Sequence, residues 1–339
     1  MRRAAISACS IALVAAAGTA GAQPSAPSWA APEIATVVAA GLMAPSGEEF
    51  RPDDPLTASE LATVLGSVGV PGVVVSDPDL PVSMRELDAQ LVTAVGLRPS
   101  ARAVRLAAVD AGLAPTSWLG TETVARMLGL RVNHLRDQEE LELQLSQSAT
   151  RAEAAYSVAR VLTIQDEEVE AVRETVEAFV VPEVTVWQQA VLRRAIRLVG
   201  APYVWAGTSE KPQQLFGRPL PGGFDCSGLV WRVFKLEPFA GAPTLAGVLR
   251  GRTSYDMSGE VARSARLARE TLQPGDVVFF GTRGPQSRPT EVGHMGIYVG
   301  NGWMVHSSDR GTTLAPMGGW YETRFAWGRS PLAEAGLSY

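Results

Sequence analysis

Three residues of the C-terminal half carry the chemistry of a nucleophile and its bases: Cys226, His294 and His306. The chain has only two cysteines, Cys9 and Cys226, and three histidines. Cys9 falls inside a segment that reads as a removable leader, so Cys226 has no intramolecular disulfide partner in a chain that reads as exported. An unpaired cysteine in such a chain points to a reactive thiol or an intermolecular bridge. Cys226 follows Gly222-Gly223-Phe224-Asp225, and apolar residues at 226, 229, 230, 233 and 234 keep helical spacing. Asp225 is the expected N-cap, which puts the thiol in the first helical turn. Free N–H groups and the positive end of the helix dipole favour a thiolate there. A buried cysteine serving as a small hydrophobe fits poorly with a helix start after a glycine-rich turn. Zinc sites use closer ligand pairs than this dispersed set, so no metal is expected.

A thiol needs a base, and the turn Gly300-Asn301-Gly302 decides whether both histidines are available. A two-residue Asn301-Gly302 turn would put His294 and His306 on opposite faces of the hairpin. A three-residue loop pairs Val299 with Trp303. It then gathers His294, Gly296, Tyr298, Met304, His306 and Ser308 on one face, and Met295, Ile297, Val299, Trp303, Val305 and Ser307 on the other. The second register collects the apolar residues more cleanly and suits a glycine in the left-handed position. It makes the histidines diagonal neighbours, backbones about 7–8 Å apart. His134 reads as a surface or capping residue.

The elements that must position this set fall in two halves. Helical spacing runs through 31–43, 57–65, 83–97, 101–113, 119–130 and 150–162. Three of these segments open with a capping box, Thr57-Ala-Ser-Glu60, Ser83-Met-Arg-Glu86 and Thr150-Arg-Ala-Glu153, in which hydroxyl and carboxylate satisfy the first-turn N–H groups. Their recurrence points to an internal repeat. An acidic helical connector follows at 165–183, then a helix over 184–198. Strands are expected at 276–280, 295–299 and 303–307. Helices followed by strands imply an α+β domain with an antiparallel sheet.

The N-terminus has Arg2-Arg3, an apolar run from Ile11 to Ala17 and small residues at Ala20-Gly21-Ala22, the pattern of a signal peptide over 1–22. The run is shorter than the ~20 residues of a membrane span. A net charge of −5 with no long basic run argues against nucleic acid or an anionic membrane as partner. The mature protein is expected outside the cytoplasm.

Residues 184–330 resemble the NlpC/P60 family of bacterial cell-wall cysteine peptidases. The resemblance is carried by Ala201-Pro-Tyr-Val-Trp-Ala-Gly207, Phe224-Asp-Cys-Ser-Gly228, Leu272-Gln-Pro-Gly-Asp-Val-Val-Phe-Phe280, Gly293-His-Met-Gly-Ile-Tyr-Val-Gly300 and Val305-His306. It implies a papain-like fold over 184–339, with Cys226 as nucleophile, His294 as general base and His306 as the residue that orients it. It places Tyr203, Asp225 and Ser227 at the substrate, a peptidoglycan stem peptide cut between D-γ-glutamyl and a diamino acid, with no cofactor. The Cys226 N–H, together with the Tyr203 hydroxyl, is the candidate oxyanion hole. The family often has glycine where this chain has Ala206, and the segment 237–269 is unusually long. Asp276 reads as a turn residue. Residues 29–164 resemble S-layer homology repeats, which implies a cell-wall polymer as a second partner. Thr150-Arg151-Ala152-Glu153 matches that family's motif, whereas the segments at 57 and 83 lack its arginine. Two alternatives remain open: an acyltransferase or amidase of the same fold, and a wall-binding protein without activity.

Overall fold

The computed structural model describes residues 28–43, 49–68, 77–133 and 142–337. The expected leader and His134 lie outside the described residues. The N-terminal half is helical: α1 (Ala31–Ala39), α2 (Ala58–Ser67), α3 (Met84–Ala94), α4 (Arg98–Asp110), α5 (Leu119–Met127) and α6 (Arg151–Thr163). The three capping residues work as expected: Thr57, Ser83 and Thr150 accept the N–H of Glu60, Glu86 and Glu153 at 3.3, 3.3 and 3.2 Å. Such a cap stabilises a helix by about 1 kcal/mol.

The residues before the caps form a closed ring. Leu56 donates its N–H to the Ala149 carbonyl at 2.8 Å, Ala149 to Val82 at 2.8 Å, and Val82 to Leu56 at 2.9 Å. The N–H groups of Ala58, Met84 and Arg151 repeat the pattern one turn out, on Leu80, Gln147 and Asp54. The full box closes at Thr57 and Ser83, whose N–H groups reach Glu60 and Glu86 at 2.9 Å, while Thr150 supplies the hydroxyl half. The recurring caps are three copies of one device arranged about a common axis, each copy supplying the next with acceptors. Arg151 is spent inside this assembly. It is only 4% exposed, pairs with Glu60 and donates to the Phe50 and Met43 carbonyls at 2.7 and 3.0 Å.

α5 lies tight on α4, because a Cβ on Gly120 would sit 1.7 Å from the Ala101 carbonyl oxygen. Beneath it five charged side chains are fully enclosed. Glu142 bonds Arg126 at 2.7 Å and Arg131 at 2.6 Å, Arg131 also bonds Asp88 at 2.9 Å, and Arg126 bonds Glu122 at 3.3 Å. Three carboxyls face two guanidiniums. Burial, and then the Asp88 charge, push Glu122 up to about 8, so at neutral pH it keeps its proton. Strict geometry leaves one oxygen each of Asp88 and Glu122 without a donor, yet the two carboxyls are within hydrogen-bonding reach. A proton on Glu122 satisfies both oxygens and balances the charge.

The connector is α7 (Asp166–Glu177), followed by α8 (Val186–Arg197), short ribbons of β1 (Thr208–Ser209) with β4 (Gly223–Phe224) and β2 (Gln213–Leu215) with β3 (Arg218–Leu220), then α9 (Cys226–Phe234), α10 (Leu245–Val248) and α11 (Ser254–Gly259). The sheet comprises β5 (Val277–Gly281), β6 (Val292–Gly300), β7 (Trp303–Ser308), β8 (Gly311–Pro316) and β9 (Phe325–Arg329), with α12 (Trp320–Arg324) before the last strand. All neighbours are antiparallel, in the order β8-β7-β6-β5-β9. This is the expected α+β class; β8 and β9 are additions to the strands read from sequence.

The β6–β7 hairpin combines both turns considered. Gly300 pairs with Trp303 across Asn301-Gly302, whose φ angles of +49° and +79° suit a two-residue turn. A bulge between Tyr298 and Gly300 then shifts the ladder, so that Tyr298 faces Met304 and Gly296 faces His306. The bulge restores the register of a three-residue loop and leaves both histidines on one face. Met295, Ile297, Val299, Trp303 and Val305 are buried on the other face, toward α8 and α9. The histidine face has its own small core, including Val278, Phe280, Met304 and Phe325.

The two halves are packed together. Arg126 donates to the carbonyls of Gly200, at 3.0 Å, and Arg310. Asn133 N–H reaches the Asp309 carbonyl at 3.0 Å, Trp118 Nε1 reaches Val199 at 3.3 Å, and Phe179 meets Trp303 edge-on at 4.9 Å.

Candidate active site

The thiol is set by the turn before α9. Asp225 is extended, and its carboxylate accepts the Gly228 N–H, so the helix begins at Cys226. The same carboxylate accepts from the Ser227 hydroxyl at 3.0 Å and from the Ala206 N–H at 2.9 Å, and it pairs with Arg252 at 3.4 Å. Arg252, from the long 237–269 segment, also donates to Ser227 Oγ at 2.7 Å and to the Ala206 carbonyl at 2.9 Å. Ala206 has φ +61°, a left-handed conformation that costs a non-glycine residue about 1–2 kcal/mol. Both its backbone groups are tied down by Asp225 and Arg252, which hold it there. Asp225 and Ser227, expected at the substrate, thus have their side chains engaged in fixing the Cys226 turn. Tyr203 enters this turn through a parallel bridge to Phe224. Cys226 N–H stands in the first helical position, where no intrahelical acceptor exists. Asp276 accepts the Gln273 N–H at 2.8 Å, as a turn residue does.

Cys226 is half-buried. Burial, then the adjacent Asp225 carboxylate, push its thiol up to about 12, against the backbone N–H groups of Met295 and Ser227 and the charge of Arg252. This corrects the expectation of a resting thiolate: desolvation outweighs the helix terminus. The helix that Cys226 opens packs against β6, the strand that carries His294.

His294 Nε2 is 3.1 Å from His306 Nδ1, with the rings perpendicular and 5.1 Å apart. Burial pushes His294 down to about 4, with Asp309 opposing. Burial, followed by the nearby His294 and Arg310, holds His306 well below the ordinary imidazole range. Both rings are neutral at pH 7 and share one proton between their facing nitrogens. His306 Nε2 in turn lies 3.4 Å from the Tyr321 hydroxyl. Burial pushes that phenol up to about 12, so it stays protonated. Three rings therefore form one hydrogen-bonded line, from His294 through His306 to Tyr321. An imidazole in such a line can take the thiol proton during attack and return it to a leaving group.

Tyr321, Trp320 and Arg252 are absent from the residues expected by sequence. The signal for the first two was an aromatic pair after Gly318-Gly319; for Arg252 it was only the unusual length of its segment. Trp320 is 51% exposed and meets His294 edge-on at 6.2 Å. A cavity of about 720 Å³ opens beside the rings, lined by His294, His306, Trp320 and Tyr321, by Asp309 and Arg310 of the β7–β8 turn, and by Arg126 and Met127 of α5. The helical half thus supplies part of its wall. Among the described residues no group of His, Cys, Asp or Glu is arranged to hold a metal.

Residues 200–329 match the NlpC/P60 family, and residues 22–62 match the S-layer homology domain. The second match covers the first of the three capping segments and stops before the others. The chain is 31% identical over 144 residues to the bifunctional muramidase/DL-endopeptidase CwlT of Bacillus subtilis, covering 42% of this chain and 36% of that protein. It is 32% identical over 123 residues to the murein DD-endopeptidase MepH of Escherichia coli, covering 36% and 37%. The peptidoglycan hydrolase RipB of Mycobacterium tuberculosis aligns in structure at 27% identity and a TM-score of 0.31, covering 42% of this chain and 64% of that one. The chain spans only 24–37% of the length of these curated relatives.

Proposed function

We propose that this protein is a cell-envelope cysteine peptidase that hydrolyses peptidoglycan stem peptides between D-γ-glutamyl and a diamino acid. The observation that carries this reading is the His294–His306 hydrogen bond of 3.1 Å, with His294 on β6, the strand against which the Cys226 helix packs. Cys226 attacks the scissile carbonyl as its proton passes to His294. His306 orients that ring, and the imidazolium then protonates the leaving amine. The oxyanion rests on the Cys226 N–H, with the Tyr203 hydroxyl as second donor. Water hydrolyses the acyl-enzyme by the same route in reverse.

The relatives are named for different bonds, DL in CwlT and DD in MepH, so the bond is the point to test. Digestion of purified peptidoglycan followed by mass spectrometry should release fragments ending in D-glutamate, and Cys226→Ala should release none. Equal digestion by both proteins removes Cys226 as nucleophile, and fragments ending in D-alanine move the cut to the DD bond.

The S-layer homology match supports a wall-holding role for the helical half. Arg151 is occupied inside the fold, so polymer contact falls to other residues. Arg98, Arg102 and Arg105 of α4 line a cavity of about 900 Å³ and have no ion-pair partner among the described residues. Protein left wholly in the supernatant after incubation with the same walls removes this role.

A further inference from the structure

The cavity beside the histidines has a direction. In the proposed reaction the leaving amine must lie next to His294, because that ring delivers its proton. A cavity lined by His294 and His306, and not by Cys226 or Tyr203, is therefore on the side of the released diamino acid, whereas Cys226 and Tyr203 serve the acyl side.

The charges on that side are unusual. Ser308 pairs with Gly311, which leaves Asp309 and Arg310 as the two residues of a tight turn between β7 and β8. Both line the cavity, and among the described residues neither forms a salt bridge, with the other or elsewhere. The turn is fixed from outside its own half: Asp309 carbonyl accepts the Asn133 N–H, Arg310 carbonyl accepts from Arg126, and Arg310 Nη1 donates to the Arg126 carbonyl at 3.3 Å. One edge of the guanidinium is thus anchored and its other N–H groups have no protein acceptor among the described residues. Met127, Ala315 and Trp320 contribute apolar lining to the same cavity.

We propose that Asp309 and Arg310 select a diamino acid whose distal carbon bears both an ammonium and a carboxylate. This rests on the stem-peptide reading above. The methylene chain lies along the apolar wall, the distal carboxylate takes the free edge of the Arg310 guanidinium, and the distal ammonium takes the Asp309 carboxylate. A guanidinium edge matches a carboxylate in a way an ammonium does not. A lysine-type residue, with an ammonium and no carboxylate, leaves Arg310 facing a like charge. The helical half enters specificity as the support that keeps both side chains at the cavity.

The test uses the full chain and two synthetic stem peptides, identical except for diaminopimelate or lysine after D-γ-glutamate. The wild type should prefer the diaminopimelate peptide by about tenfold or more in kcat/KM, the effect of about 1.4 kcal/mol of added recognition. Arg310→Gln should bring the ratio near one, and Arg310→Lys, which keeps charge without the planar edge, should leave an intermediate ratio. Thermal melting accompanies each variant, and either one that folds decides the question. A wild-type preference for lysine, no preference, or an unchanged ratio in the variants overturns the proposal. Cleavage of neither peptide by the wild type is a separate result: it removes the stem-peptide reading and this inference with it.

Discussion

The line His294, His306, Tyr321 joins residues that the sequence announces to one that it does not. Cys226 and the two histidines are legible because their types are rare in this chain and their neighbours set helix and hairpin geometry. Tyr321 is not, because its role depends on α12 folding back over the sheet face. The protonation of these groups was also beyond sequence reading, since burial decides it. His294 is pushed down to about 4 by desolvation, and in the proposed mechanism it serves as general base only when neutral. Activity is therefore lost on protonation below that value and retained above it. We predict that kcat/KM on a stem peptide rises through about pH 4 and is level across pH 5–8, because this parameter reports the free enzyme. An acid limb near 6.5, the ordinary histidine position, would reject the buried neutral pair; melting curves at pH 4 separate titration from unfolding.

At the level of elements, helix starts were readable and the buried charges beneath them were not. Capping boxes announce themselves in four residues, whereas charges on amphipathic helices usually face solvent. The α3–α5 region instead encloses Asp88, Glu122, Arg126, Arg131 and Glu142. The β6–β7 register was readable to the extent that its buried face dictates it, and a bulge supplied what the turn length did not. β8 and β9 escaped because Gly311 and Gly328 weaken their patterns. Glu122 offers a test at this scale. Its folded value of about 8 lies above the ordinary 4.5. Its contribution to stability is fully present below 4.5, declines as pH rises, and is lost through pH 8. Glu122→Gln keeps a neutral donor toward Asp88 and cannot ionise. Its melting temperature should fall less than that of the wild type between pH 6 and pH 9. Parallel curves for the two proteins would show that Glu122 does not hold the proton.

Across the molecule, Arg126 is the residue that makes two halves into one body. It bonds Glu122 and Glu142 within the helical half and the Gly200 and Arg310 carbonyls beyond it. None of this is legible in sequence, because most of the links between the halves end on backbone carbonyls, which leave no compositional trace. Removing one partner of a buried ion network typically costs about 3–5 kcal/mol. Arg126→Met should destabilise the protein by that order in urea unfolding. It should also lower kcat/KM, since the Asp309–Arg310 turn loses its support. Unchanged stability would mean that the halves are joined mainly by apolar contact.

The closed ring of Leu56, Val82 and Ala149 also has a bearing on how the chain is made. Synthesis runs from the N-terminus, so the first two members emerge well before the third. Until Ala149 leaves the ribosome, Leu56 N–H has no ring acceptor and the Val82 carbonyl has no ring donor. The helical half is thus locked by its last repeat. A chain interrupted between Val82 and Ala149 carries two thirds of a ring with exposed hydrogen-bonding edges, the state in which partly made proteins most readily find the wrong partner.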